Sequence, residues 1–519
     1  MTADLNQTLG TWLQAQTLRQ PEAPAIADAD GVLSFAELSQ EVAALCSGLA
    51  GLGISKGDVV GVQLPNIRWF VITFLAVAAR GAIFQTLHMP YRSNELKGLL
   101  ADSAAKAVIV TNEGKDSRAE DVLSIRHALP TLEHVIVAGA VPDGCRSLAD
   151  LCATDADPSD KIEVSADDPY LLLYTSGTTA SPKGVPHNYR GFLNNALQAS
   201  QEMQITPQSR VLSLAPMSHL YGLFTLHLSL ASGAAMVLLP AFNPANLLDD
   251  LTAAKATHIY AAPAHFAPFV SNNTLSADHL TGVRLLCLSG AAVHSALAEA
   301  VDRLMPHGAV IQLWGMSELQ AGTFGRPGDP AAKRFSTAGT AAPNTEIRVL
   351  GDNGEVLGNA KEGTLQVRGP SVFSGYLNRP DETARAFDQD GWFATGDLAM
   401  IDAEGFLTIT GRTKEIINRG GVKFNPVEVE EVLERLPAIQ QCAIVPVPDP
   451  DLGERGCLCV VLAQGFSLAL EEATDALSRA GMAKYKWPER LVIFDTLPTT
   501  PTRKIMRGKL SEMLENQKG

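Results

Sequence analysis

The stretch "YTSGTTASPKG", Tyr174 to Gly184, follows directly on the apolar run "PYLLLY". Glycine lets main-chain N–H groups approach an anion. The hydroxyls of Thr175, Ser176, Thr178 and Thr179 can donate to its oxygens, Gly177 keeps the turn tight, and Lys183 brings a mobile positive charge. That combination suits a polyphosphate. It is not a Walker A loop: Pro182 stands where the second glycine belongs, and Lys183 is followed by Gly184 in place of Ser or Thr. An ordinary surface turn has a similar composition, but seldom so many hydroxyls and glycines around one lysine.

Something must hold such a loop in place. Helical patterns such as "SFAELSQEVAALCSGLAGLG" alternate with short apolar runs such as "VVGVQLP", "AAMVLLP", "HIYAAP" and "VRLLCLSG". Each run ends near Gly, Pro or Ser, which is the signature of strand–loop–helix repetition and parallel α/β sheets. From about Gly363 apolar and polar residues alternate between turn signals, as in "GTLQVRGPSVFSGYL" and "GWFATGDLAMIDAEGFLTITGR". This predicts a small β-rich subdomain. Beyond Gly411, "PVEVEEVLERLPAI", "QCAIVPVPD" and "CLCVVLA" predict a separate small α+β domain. The expected division is 1–411 and 412–519, with a hinge near 411–415.

The chain has 519 residues, 46% hydrophobic and 19% charged, an ordinary globular composition with room for a large core. Lys and Arg number 41 against 56 Asp and Glu, a net charge of −15, so there is no basic footprint for nucleic acid. The opening "MTADLNQTLGTW" is no signal segment, and "WFVITFLAVAARGAIF" is broken by Arg80 before it could span a membrane. The seven cysteines form no CxxC pair. A cytoplasmic protein with reduced thiols, monomeric or homodimeric, is the expectation. Cys457 and Cys459 in "GCLCVVL" sit at strand spacing and lack the His or Cys companions of a metal site.

"YTSGTTASPKGV" resembles the phosphate loop of the adenylate-forming superfamily of acyl-CoA synthetases, peptide-synthetase adenylation domains and firefly luciferase. Further motifs follow in that family's order through nearly the whole chain. "PMSHLYG" resembles its substrate-side motif, which implies an acid pocket at His219, Tyr221 and Gly222 with His219 as a gate. "LSGAAV" resembles the adenine-side loop, implying Gly290, Ala291 and Ala292. "LWGMSE" resembles the segment that stacks on adenine through Trp314, continues through Gly315, Met316 and Ser317, and ends in a magnesium-binding acid, Glu318. Met316 and Ala291 would also face the acid. "GWFATGDLAMID" and "GRTKEIINRGGVKFNPVEVE" resemble the ribose motif and the hinge with its glycine loop. They imply Asp397 and Arg412 on the nucleotide, Lys414 at the hinge, and Gly420, Gly421 and Lys423 on CoA. "TPTRKIMRGKL" resembles the terminal motif with its catalytic Lys504.

The implied chemistry uses ATP, Mg2+ and CoA. A carboxylate is a poor electrophile, so it is first joined to AMP as a mixed anhydride with release of pyrophosphate, and a thiol then displaces AMP. Two anions must meet in the first step. Magnesium at Glu318, Lys504 and the donors of Ser176 to Lys183, with Thr178 among them, would offset that charge. Asp397 suits the two ribose hydroxyls, and Arg412 a further ribose or phosphate contact. Taken singly, Glu318 could be a helix start, Asp397 a turn residue, Lys504 a tail lysine, and Trp314 and His219 core residues. Motif order favours the functional assignment.

Four positions depart from the pattern. Ala180 replaces a glycine of the phosphate loop, Ser218 replaces a common aromatic beside His219, Ser317 replaces Thr, and Arg503 stands where glycine usually precedes the catalytic lysine. The pocket set is apolar or aromatic, which points to a compact hydrophobic acid: cyclic, aromatic or medium-chain. An acid–CoA ligase is the leading reading. A ligase loading a carrier protein's phosphopantetheine and a nucleotide-binding protein without catalysis remain as alternatives. In the leading reading the small domain closes to bring Lys504 over the reacting atoms, then rotates about Lys414 to present the glycine loop.

Overall fold

The computed structural model describes residues 6–113, 116–160, 162–175, 182–413, 415–419, 422–449, 452–500 and 503–516. A large N-terminal domain of mostly parallel sheets carries a small C-terminal domain, as the strand–helix alternation predicts.

Two large sheets form the frame. One has at its centre the parallel strands Arg210–Ser213, His258–Ala261, Leu285–Leu288 and Ala309–Met316. The other pairs Val59–Gln63 in parallel with Ile83–Thr86 and Ala107–Glu113, and Ile83–Thr86 in turn pairs with Pro169–Tyr174. Parallel strands covered on both faces read as continuous apolar runs, which is what "LLCL" and "PYLLLY" are.

Between the sheets lie helices that are apolar all round. In Leu220–Ser232 every residue from Leu220 to Leu230 is buried, and Arg68–Ala79 is similar. A helix with no polar face belongs inside a protein. Helix Phe35–Gly51 has its start written locally, where Ser34 and Glu37 form a reciprocal capping box. No described helix is long and apolar enough to cross a membrane.

The β-rich subdomain is an antiparallel sheet of four strands, Glu346–Leu350, Gly363–Arg368, Phe393–Ile401 and Leu407–Arg412. It begins earlier in the chain than the change of texture at Gly363. Glu346–Leu350 is an edge strand with Arg348 and half-buried neighbours, so it shows no clean alternation.

The small domain packs helix Pro426–Leu433 against strands Ile439–Asp449 and Gly453–Leu462. Cys457 and Cys459 are buried on the latter strand, two residues of one face.

Candidate active site

The neck of the phosphate loop is closed by its own backbone. Thr175 N donates to Lys183 O at 3.0 Å, and Lys183 N to Thr175 Oγ1 at 3.3 Å. Ser176, Gly177, Thr178 and Thr179, with Ala180, lie outside the described residues. Lys183 is not a free charge here. Its ammonium pairs with Glu382 at 2.6 Å and sits 4.5 Å above the ring of Tyr376. The Tyr376 hydroxyl donates to Glu318 Oε1 at 3.0 Å, so one aromatic side chain joins the loop lysine to the acid.

Glu318 stands in the tight connection between strands Ala309–Met316 and Gln320–Phe324. A side chain at Gly315 would place its Cβ 1.9 Å from Gln320 O, so only glycine admits this approach. Phe373 N holds the Glu318 carbonyl at 2.8 Å. The carboxyl is buried, 5% exposed, and burial pushes its pKa above the usual range against the opposing pull of Tyr376, Arg412 and Lys183. No group of three or more His, Cys, Asp or Glu side chains gathers among the described residues. Magnesium needs none, since it keeps water and phosphate oxygens and takes one or two carboxylates. A buried acid that is costly to ionise alone fits that ion. Next to it, His187 Nε2 donates to Ser317 O at 2.7 Å, and burial keeps this imidazole neutral, with its pKa lowered to about 3.

In the antiparallel subdomain, cross-strand register sets Asp397 opposite Arg412. Arg412 Nε meets Asp397 Oδ1 at 2.8 Å, and the Trp314 indole N–H donates to Asp397 Oδ2 at 2.8 Å. Trp314 is buried, with its ring packed over Gly322. Gly290, Ala291 and Ala292 form an exposed turn after strand Leu285–Leu288. Just before that turn, Ser289 Oγ donates to Leu313 O at 2.7 Å and so joins it to the Trp314 strand. Met316 and Ser317 are half-buried.

At the start of the buried helix Leu220–Ser232, His219 is the cap, its Nδ1 accepting from Tyr221 N at 3.2 Å. Its ring lies 6.2 Å from that of His88, nearly parallel to it, and His88 Nδ1 meets Ser218 Oγ at 2.9 Å. Burial depresses both imidazoles, to about 4 for His219, where the Lys504 charge adds, and about 3 for His88. Both rings are neutral near pH 7. Tyr221 is turned into the core, where its hydroxyl donates to Cys287 O at 2.8 Å. Gly222 is needed for backbone approach, since a Cβ there would lie 2.2 Å from Pro216 O.

From the small domain, Lys504 enters this region. It is half-buried, and its pKa is lowered by desolvation and by the Arg412 charge. Its charge reaches Asp397, Arg412 and His219. Arg507 anchors the terminal segment through Glu430, Oε2 at 2.6 Å, and Glu415 at 3.1 Å. Lys414, Gly420 and Gly421 lie outside the described residues, as does the side chain of Lys423. The structure thus brings Lys504, Asp397, Arg412 and His219 into one electrostatic neighbourhood, and Lys183, Tyr376 and Glu318 into one chain of contacts. Tyr376, Glu382 and His88 were not anticipated by motif reading.

Residues 13–377 match the AMP-binding enzyme family and residues 428–504 the AMP-binding enzyme C-terminal domain. The chain is 33% identical over 510 residues to a feruloyl-CoA synthase of an Amycolatopsis species, covering 97% of this chain and 99% of that one. It is 31% identical to the medium-chain fatty-acid–CoA ligase of Escherichia coli K12, covering 96% and 89%. Among solved structures it resembles an anthranilate CoA ligase in complex with anthranoyl-AMP, with a TM-score of 0.91, 26% identity and coverage of 99% and 98%.

Proposed function

Because this chain belongs to the AMP-binding enzyme family, we propose that it is an ATP-dependent carboxylic acid–CoA ligase acting on a compact hydrophobic acid, aromatic or medium-chain. The observation that carries this reading is that Lys504 of the small domain shares an electrostatic neighbourhood with His219 and Asp397 of the large one, beside Arg412 at the boundary, which is itself paired with Asp397. Relatives named for ferulate, anthranilate and medium-chain acids support the substrate class.

In the first step a carboxylate oxygen attacks the α-phosphorus of ATP and pyrophosphate leaves. Asp397 accepts hydrogen bonds from the ribose hydroxyls, and Arg412 fixes the orientation of that carboxylate. The Lys504 ammonium lies between carboxylate and α-phosphate, where burial strengthens its field. Glu318 would hold a magnesium ion, which would supply charge neutralisation on the phosphates. His219 and His88, both neutral, add no charge to the acid pocket, so an uncharged acyl body is accepted there.

In the second step the CoA thiol attacks the acyl carbon and AMP leaves. Lys504 occupies the approach, so the small domain, 412–519, turns about the hinge at Lys414 and brings Gly420, Gly421 and Lys423 to the pantetheine arm. Buried thiols such as Cys287 and Cys442 fit a cytoplasmic setting.

The test is a panel of acids with ATP, magnesium and CoA, scored by pyrophosphate release and by thioester mass. Turnover is expected with one or more of benzoate, cyclohexanecarboxylate, coumarate and octanoate. Fast turnover of acetate or glycine with none of these four would sink the substrate assignment, and pyrophosphate release without any thioester would sink the CoA assignment.

A further inference from the structure

We propose that Arg503 is a positioning residue for Lys504, docking the lysine-bearing loop onto the face of Phe242 in the large domain. The proposal rests on reading Lys504 as the adenylation lysine.

Arg503 has φ +63°, a left-handed conformation that glycine adopts freely and that opposes any residue with a β-carbon. The loop needs that turn. Arg503 N donates to Thr500 O at 2.8 Å, Thr500 N to Lys504 O at 2.8 Å, and Lys504 N to Thr500 Oγ1 at 3.1 Å. Glycine would make the same turn without opposition, so what arginine adds lies at the far end of its side chain.

There the guanidinium carbon is 4.3 Å from the centroid of the Phe242 ring, close enough for a cation–π contact. Phe242 lies in the loop after strand Ala235–Val237 and is backed by the ring of His265, 4.5 Å away and tilted by 38°. Burial, with a smaller contribution from the Arg503 charge, lowers the His265 pKa to about 3. The ring behind Phe242 is therefore neutral and does not repel the guanidinium.

Phe242 belongs to the large domain and Arg503 to the small one. The contact exists in the arrangement that carries Lys504 to His219, Asp397 and Arg412. It favours that arrangement over any in which the loop has withdrawn, and a partly exposed cation–π contact is weak enough to be broken in each turnover.

The experiment uses the full chain and the best acid of the panel above. Acyl-adenylate formation is read as pyrophosphate release without CoA, and thioester formation is read from that acid's chemically made acyl-adenylate with CoA. Arg503→Gly and Phe242→Leu are each expected to slow adenylation by about fivefold, with thioester formation unchanged or faster. The double variant should be no slower than either single, as for two residues acting through one contact. Phe242→Tyr keeps the ring face and should keep the rate. Glycine suits the backbone at position 503, so that variant retains its fold. Adenylation at the normal rate in both single variants, losses that multiply in the double, or a parallel fall in thioester formation would each overturn the proposal. Lys504→Ala separates the two levels. If it abolishes adenylation alone while Arg503→Gly does nothing, the docking contact is wrong and the lysine assignment stands; if adenylation survives it, both are wrong.

Discussion

The indole N–H of Trp314 donates to Oδ2 of Asp397 at 2.8 Å while Arg412 approaches Oδ1 at 2.8 Å, so both oxygens of the carboxylate proposed to take the ribose are held from within the protein. A carboxylate accepts at about four positions, and acceptor capacity remains for a diol. The indole of "LWGMSE" thus holds Asp397 through its edge while its ring packs over Gly322.

Trp314→Phe keeps an apolar ring and removes the N–H. A hydrogen bond to a charged group contributes about 1.5–3 kcal/mol, so KM for ATP should rise about tenfold. With 2′,3′-dideoxy-ATP the variant and the parent should differ by less than about twofold, because no ribose hydroxyl is left to misplace. Asp397→Ala should cost at least about tenfold in ATP use, and this too should shrink with the dideoxy nucleotide. Equal losses with both nucleotides would place the effect in folding and not in ribose recognition.

Glu318→Gln should trade activity for stability. The Glu318 pKa is raised by burial, so in the window just above its usual value of 4.5 the folded chain holds a proton that the unfolded chain has released. Its ionisation therefore subtracts stability as pH rises through that window, and the subtraction is fully present above the raised value. Glutamine removes it. The expected result is a Tm increase at pH 7.5 that is absent at pH 4, together with a loss of magnesium-dependent pyrophosphate release of at least about a hundredfold. A Tm difference of equal size at both pH values would count against this account.

His294 and Glu434 form an ion pair across the two domains. Burial lowers the imidazole pKa, but Glu434, with Glu431 and Glu430 behind it, outweighs burial and the net shift is upward from 6.5. The pair's contribution to the contact between the domains is fully present below 6.5 and is lost as pH rises through the higher folded value. Limited proteolysis should cut the segment around 411–421 faster at pH 9 than at pH 6, and His294→Gln should abolish that difference.

The proposed site is legible in the sequence where its residues come in short runs. Asp397, Arg412, Glu318 and Lys504 each sit inside a motif, and the alternating strands and helices announce the frame that holds them. What was not legible depends on contacts between distant runs. Tyr376 reaches Glu318 across 58 positions, and nothing in "SGYL" names that partner. Phe242 reads as a loop aromatic until Arg503 is found on its face. Tyr221 reads as an acid-pocket residue in "PMSHLYG", and nothing in that run announces that its hydroxyl donates to Cys287 O, 66 positions away.

The closed neck between Thr175 and Lys183 bears on the entropy of nucleotide binding. Joining the ends of a loop has a conformational cost that depends on the length enclosed, and here the hydrogen bonds between Thr175 and Lys183 meet that cost during folding. On the proposed function, a triphosphate arriving there meets a loop whose ends are already joined. Substituting Thr175 with Val removes one of the two links and transfers part of the closure to the binding step, where it would appear in calorimetry as a less favourable entropy with little change in enthalpy.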